Sequence, residues 1–170
     1  PATEEVLGHA SKATPADVDR ALKSAEKGLQ VWKKITPWER SYILRRIADK
    51  LREKKDVLAK WMTLENGKPL AEGVGETNGA ADIFEWNAEE TKRIFGQTIE
   101  SRFEDTRVHV YYQPVGVVAA LSPWNFPLIL AARKISTALA AGCSVIIKPD
   151  TITPGVVMEL VDICRECGVP

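Results

Sequence analysis

No Asp, Glu, Lys or Arg occurs between Arg107 and Arg133, and this uncharged stretch constrains the fold more than any other feature of the sequence. By hydropathy alone it resembles a membrane span. Pro114, Pro123 and Pro127, together with Gln113 and Asn125, interrupt it. A continuous bilayer-spanning helix is therefore excluded, since each break would leave backbone polar groups unpaired in hydrocarbon. The stretch resolves instead into separate pieces. Residues 108–112 alternate, as a half-buried strand does, and pair with 97–102 across a Phe103-Glu104-Asp105 turn to predict a β-hairpin. Residues 115–121 form a continuous apolar run, the mark of a strand covered on both faces. Residues 126–141 predict a helix with Pro127 in its first turn and Gly142 closing it. Residues 144–148 predict a second short buried strand, and Thr153-Pro154 opens a last helix that ends near Cys167-Gly168. Strand, helix, strand, helix is a βαβα unit, which calls for a parallel pairing with a right-handed crossover.

The first half of the chain is helical by its start and stop signals. Thr14-Pro15-Ala16-Asp17 reads as a capping box with Pro at the first helical position, and Thr36-Pro37-Trp38-Glu39 repeats it. Val18, Ala21, Leu22, Ala25, Leu29 and Trp32 recur at helical spacing behind the first signal, and Ile43, Leu44, Ile47, Ala48 and Leu51 behind the second. Asp56 is expected to cap a third helix, stopped by Asn66-Gly67. Pro69 opens a fourth that runs toward Phe95-Gly96, with Ala80, Ile83, Phe84 and Ala88 on one face. The chain thus reads as an α/β protein: a helical segment (1–96), a hairpin (97–113) and a βαβα unit of a parallel, Rossmann-like sheet (114–170).

Composition narrows the functional classes. A hydrophobic content of 45% excludes disorder, and equal numbers of basic and acidic residues, 23 each, remove the basic footprint of a nucleic-acid binder. The zero hides a pattern: residues 39–60 carry 8 positive and 4 negative charges, residues 61–113 carry 5 and 10. The two segments are expected to solvate neighbouring helices or to face each other. Three cysteines, an odd number, argue against a disulfide framework and for a reducing compartment, the cytoplasm first of all.

Several chemical motifs are weak on physical grounds. The glycines of 73–79 have the wrong spacing for a dinucleotide fingerprint and no strand before them, so close helix packing explains them better. Cys164-Arg165-Glu166-Cys167 lies at a helix C-terminus, where the dipole opposes thiolate formation, and no second ligand pair is present for zinc. Cys143 reads as a small core residue, and His9 and His109 are too isolated for a triad or a metal site. No metal is expected. What remains is the loop Ser122-Pro123-Trp124-Asn125-Phe126-Pro127, leaving the carboxyl end of one parallel strand, and Lys148 at the carboxyl end of the next. Ligands bind at that edge in open α/β sheets. Asn125 offers an uncharged donor for a developing oxyanion, and Lys148 a cation for ribose hydroxyls or phosphate. Spacing alone favours the plainer reading, in which Asn125 caps the helix and Lys148 is an ordinary strand-end cation.

These residues also carry a resemblance. Pro114-Val115-Gly116-Val117-Val118, Ser122-Pro123-Trp124-Asn125-Phe126-Pro127, Ala138-Leu139-Ala140-Ala141-Gly142-Cys143 and Ile147-Lys148-Pro149 resemble the aldehyde dehydrogenase superfamily. Residues 65–72 (Glu65-Asn66-Gly67-Lys68-Pro69-Leu70-Ala71-Glu72) and 84–90 resemble its succinate-semialdehyde branch. The resemblance implies oxidation of an aldehyde by NAD(P): a cysteine thiolate adds to the carbonyl, hydride leaves, and water activated by a glutamate hydrolyses the thioester. It implies that Asn125 is the oxyanion-hole amide, and that Ser122, Pro123, Trp124, Lys148, Asp150 and Thr151 border the cofactor. Arg133 matches an arginine that holds a substrate carboxylate. The nucleophilic cysteine and the glutamate are expected beyond residue 170, and with Pro1 in place of Met the chain reads as the amino-terminal portion of a longer enzyme, inactive alone.

Further expectations follow from the resemblance. The hairpin matches part of the family's oligomerisation element, which implies a homo-oligomer, and a missing leader would allow a mitochondrial location. NAD-preferring members place a glutamate three residues after the lysine; here Thr151 stands there, which removes repulsion of a 2′-phosphate and leans the expectation toward NADP over NAD. Two other readings stand beside this one. The enzyme could act on a different aldehyde with Arg133 only structural, or the chain could be a non-catalytic binding or assembly module.

Overall fold

The computed structural model describes residues 3–170. Four helices come first: α1 (Pro15–Trp32), α2 (Pro37–Glu53), α3 (Lys55–Asn66) and α4 (Leu70–Glu90). A 3-10 turn (Thr91–Arg93) leads to the antiparallel hairpin β1 (Gln97–Glu100) and β2 (Arg107–Val110). The unit β3 (Val117–Leu121), α5 (Pro127–Ala140), β4 (Ser144–Lys148) and α6 (Gly155–Glu166) completes the chain, with β3 and β4 parallel. The α/β class and the βαβα unit are those the sequence predicts.

Local chemistry sets the first two helices. In α1 the Thr14 hydroxyl accepts from the Asp17 N–H at 3.4 Å while the Asp17 carboxylate accepts from the Thr14 N–H at 2.8 Å. In α2 the Glu39 N–H and the Thr36 hydroxyl are 3.3 Å apart, and the Thr36 N–H lies 3.0 Å from the Glu39 carboxylate. Each box satisfies two of the donors a helix start leaves unpaired. Helix α3 differs from expectation. Only Lys54 separates it from α2, so no extended residue can precede it, and Asp56 sits in its first turn instead of capping it. Gly67 at φ 81° ends α3 in the left-handed conformation that favours glycine. The α-helical part of α4 stops at Glu90, short of Phe95, where Thr91 turns inward and donates its hydroxyl to the Ala140 carbonyl at 2.5 Å.

The core lies where α2, α4 and α5 meet, with α3 and α6 closing its sides. Leu44, Ile47 and Leu51 of α2 face Phe84 and Ala88 of α4, all fully buried. Above this apolar seam the basic and acidic segments face each other, as one of the two sequence expectations has it. Arg45 pairs with Glu85 and Glu89, and Arg52 reaches Asp82 at 2.7 Å and Glu85 at 2.6 Å. Exposed pairs of this kind add little stability each. Helix α1 is less embedded than its apolar stripe suggests: Val18 and Leu22 stay exposed, and only Trp32 enters the core, donating its indole N–H to the Leu139 carbonyl at 2.9 Å.

The parallel pair runs in register from Val117 opposite Ser144 to Leu121 opposite Lys148. Here the structure corrects the sequence reading. Strand β3 begins at Val117, because Gly116 at φ 121° breaks the extended run, and it is not covered on both faces. Leu121 is 66% exposed and Val115 89%, since the sheet has two strands among the described residues and α1, opposite α5, packs mainly on β4. Of the α4 glycines, Gly73 and Gly79 pack closely as expected and Gly75 does not. A Cβ on Gly73 would stand 3.0 Å from the Ala59 backbone, whereas one on Gly75 would meet nothing within 4 Å.

That contrast gives a direct test. Gly73→Ala should destabilise the protein by about 1–3 kcal/mol through overpacking of α3 on α4. Gly75→Ala should stabilise it by up to about 1 kcal/mol through helix propensity. Urea denaturation midpoints moving in the same direction for both would contradict the packing described here.

Candidate functional site

Strands β3 and β4 end side by side, and the Ser122 N–H donates to the Lys148 carbonyl at 3.1 Å, so the two loops at this edge leave from adjacent points. The first, from Ser122 to Phe126, carries Pro123, Trp124 and Asn125. Phe126 is forced out of the helical region by Pro127 and takes φ −135°, ψ 69°. It offers no side-chain cap, so helix α5 begins without a local partner for its first N–H groups.

Those partners come from α4. The Glu76 Oε1 accepts from the Leu128 N–H at 2.9 Å and the Ile129 N–H at 3.1 Å. The other Glu76 oxygen pairs with Lys68, and both side chains are almost wholly buried. Lys68 also donates to the Asn125 carbonyl at 3.1 Å and lies 4.1 Å from the centre of the Phe126 ring. One turn earlier, the Asn66 side-chain amide donates to the Trp124 carbonyl at 2.9 Å. A buried ion pair is tolerable only when further hydrogen bonds saturate both ions, which is the case here. The backbone of the loop is thus held at Trp124, Asn125, Leu128 and Ile129.

The second loop is built the same way. Helix α6 also lacks a side-chain cap of its own, and the Glu65 carboxylate accepts from the Gly155 N–H at 2.8 Å and the Val156 N–H at 2.9 Å. Burial holds the Glu65 carboxyl above the usual range, against the opposing pull of those two N–H groups. Asp150 turns its carboxylate to the Ile152 N–H at 3.1 Å, a local turn of the kind aspartate favours. Thr151 is exposed and borders a groove of about 650 Å³ with Trp61, Leu64, Glu65, Ile152 and Met158.

Of the residues predicted from sequence, Ser122, Pro123, Trp124, Asn125 and Lys148 come together at the sheet edge, with Asp150 and Thr151 on the adjoining loop. Ser122 is buried; the side chains of Trp124, Asn125 and Lys148 are exposed above backbone that is fixed. Arg133 is exposed too, but about 9 Å along the α5 axis from Pro127 by helical rise. It borders a different groove, with Val118, Ala119 and Lys134. Sequence reasoning missed Glu65, Asn66, Lys68 and Glu76 as parts of the site. The one signal that could have found them is the pairing of two uncapped, proline-led helix starts with acids that no local partner explains. Among the described residues no group of three or more His, Cys, Asp and Glu is disposed to hold a metal, and no helix is long and apolar enough to cross a membrane.

Comparison with known proteins places this geometry. The model of the aldehyde dehydrogenase family matches residues 1–170. The chain is 46% identical over its whole length to the glutarate-semialdehyde dehydrogenase of Pseudomonas putida and 44% identical to the NADP(+) succinate-semialdehyde dehydrogenase of Escherichia coli. It covers 35% of the length of each of these relatives. The crystal structure of succinate-semialdehyde dehydrogenase from Burkholderia pseudomallei superposes with a TM-score of 0.98 at 42% identity, over 100% of this chain and 35% of that one.

The thiols take no part in the edge described above. Cys143, Cys164 and Cys167 are free and buried. Burial pushes the Cys164 and Cys167 thiols up, with Cys167 itself adding to the shift of Cys164. A thiol must ionise to act as a nucleophile, which disfavours Cys164 and Cys167, while Cys143, 2% exposed, is shielded from reagents by burial. Iodoacetamide at pH 8, followed by peptide mapping, should leave all three unmodified in the folded protein and label all three after unfolding. Rapid labelling of any of them in the native state would contradict this assignment.

Proposed function

The chain belongs to the aldehyde dehydrogenase family, and from that premise we propose that it supplies part of the cofactor and oxyanion site of an NAD(P)-dependent semialdehyde dehydrogenase. The substrate class is a short aldehyde bearing a carboxylate, succinate or glutarate semialdehyde, in line with the names of relatives it resembles at 44–46% identity. Aldehyde, water and oxidised nicotinamide cofactor give the acid, the reduced cofactor and a proton. Because the thiols of this chain are buried, the thiolate that attacks the carbonyl is supplied by residues outside it.

One observation carries the reading: an exposed Asn125 carboxamide stands on immobilised backbone at the carboxyl edge of a parallel sheet, beside Lys148. An amide held this way donates to the oxygen of a tetrahedral adduct without rearranging, and a donor of this kind is typically worth ~10²–10³ in rate. The donor set on the neighbouring strand and loop fits a dinucleotide: the exposed Lys148 ammonium and Thr151 hydroxyl suit ribose oxygens or a phosphate. The cofactor supplies the hydride acceptor; the residues of this chain bind and orient it. NADP is preferred in this reading, since Thr151 presents no charge to a 2′-phosphate and the Asp150 carboxylate is engaged by the Ile152 N–H. The first 96 residues and the βαβα unit from 114 onward serve as parts of the cofactor-binding domain. The exposed hairpin between them is the element through which copies of the enzyme assemble.

Arg133 is proposed to hold the substrate carboxylate from the groove beside β3, where a guanidinium can grip both oxygens. In the complete enzyme, Arg133→Leu should raise KM for carboxylated aldehydes roughly 10- to 100-fold, the size of a lost charged hydrogen bond. Its effect on an uncharged aldehyde of similar length should stay within about twofold by the same reasoning. Equal changes for both substrates would make Arg133 structural and point to another aldehyde. Thr151→Glu should lower kcat/KM for NADP roughly tenfold or more by like-charge repulsion. An enzyme that strongly prefers NAD before the substitution would overturn the cofactor assignment.

A further inference from the structure

We infer that Glu76 and Lys68 are positioning residues for the oxyanion site: a buried ion pair, remote in sequence, that fixes where the Asn125 carboxamide stands. The inference rests on the aldehyde-oxidation reading above and deepens it. Its ground is the pattern of contacts, which is unusual for a mere helix cap. A cap needs only the N–H groups of the helix start. Here the pair also reaches the residue in question and the chain after it, and Asn66 holds the chain before it. Lys68 holds the Asn125 carbonyl at 3.1 Å, and Glu76 holds the Leu128 and Ile129 N–H groups at 2.9 and 3.1 Å. Asn66, two residues before Lys68, holds the Trp124 carbonyl at 2.9 Å. The backbone on either side of Asn125 is anchored, and its side chain is left exposed.

Pro123 and Pro127 alone would not do this. They restrict φ at two positions but leave the loop free to rotate as a body about its ends. The polar grip from the α3–α4 turn and from α4 removes that freedom. The burial is costly and deliberate in physical terms. A carboxylate and an ammonium with about 5% and 7% exposure would be replaced at little or no loss of stability by apolar side chains of similar size. Apolar side chains would close the space but could not hold a carbonyl and two N–H groups at fixed points.

Glu76→Gln tests the idea because it keeps the size and one acceptor oxygen. Its amide nitrogen is a donor and must face either the Lys68 ammonium or the two backbone N–H groups, so one side of the grip is lost. In the complete enzyme at saturating cofactor, Glu76→Gln should lower kcat roughly 10- to 100-fold, since a displacement of about 1 Å at a reacting centre can cost that much. KM for the cofactor should stay within about twofold, because Glu76 contacts neither residue: Lys148 is held in the β3–β4 ladder, and the loop carrying Thr151 leads into an α6 start capped by Glu65. The decisive measurement is the double-mutant cycle with Asn125→Ala. If Glu76 acts through Asn125, its substitution should cost about twofold or less once the Asn125 amide is gone. Losses that multiply in full, or a cofactor KM that rises with the fall in kcat, would make Glu76 a structural residue and overturn the inference.

Asn66→Ala gives a second route that does not depend on a buried charge. It removes an exposed contact, so folding is not at risk, and it should lower kcat by a few-fold through the same cycle. Additivity of Asn66→Ala with Asn125→Ala would likewise overturn the inference. An Asn125→Ala enzyme that turns over at the full rate would have a different meaning: it would remove the oxyanion reading itself, and this inference with it.

Discussion

Two carboxylates supplied from a distance organise the carboxyl edge of the sheet. Helices α5 and α6 have no side-chain cap from their own N-cap residues, so their first N–H groups need partners from elsewhere. Glu76 caps α5 and Glu65 caps α6, each accepting two N–H groups. An anion at a helix start is favoured twice, by those hydrogen bonds and by the helix dipole. Because both acids belong to the α3–α4 region, one rigid element sets the position of both crossover helices and of the loops that precede them. The α2–α4 seam, with its apolar base and its Arg45 and Arg52 pairs, keeps α4 in place to do so.

What was legible in the sequence follows from how local the physics is. The capping boxes at Thr14 and Thr36 involve partners three residues apart, and the structure contains both. The stop at Gly67 is an equally local signal, and the pairing of the two short apolar segments as β3 and β4, though distant in sequence, follows from the crossover rule with few alternatives. Glu76 was not legible. Its partners lie 52 and 53 residues away, and a glutamate on a helix is normally solvated. Nothing within its own segment says that it turns inward. The same holds for Lys68, which contacts Asn125 across 57 residues.

The apolar run before the site shows the opposite error. Continuous hydrophobicity marks a strand meant to be covered on both faces, and the composition of β3 is of that type. Within the described residues α1 covers little of its second face, so Ala119 and Leu121 are left exposed. The sequence pattern reports the environment a strand is suited to, and the two-stranded sheet supplies only part of that environment. Arg133 and Lys134 border the groove between β3 and α5, so the residue proposed for substrate recognition stands on the α5 side of the sheet.

The arrangement separates two requirements that usually conflict. A site side chain must reach the ligand and so must be exposed, yet it must not wander, since precision in placing a donor is worth more than its strength. In the loop from Ser122 to Phe126 the backbone carries the restraint and the side chains carry the chemistry. Asn125 makes no demand on its own carboxamide to hold the loop, because the adjacent carbonyls and N–H groups do that work through Asn66, Lys68 and Glu76. Loop residues fixed only by side-chain contacts would have to surrender those contacts to bind a ligand. Restraint through the backbone leaves the carboxamide unspent, so that the interaction it makes first is with the reacting oxygen.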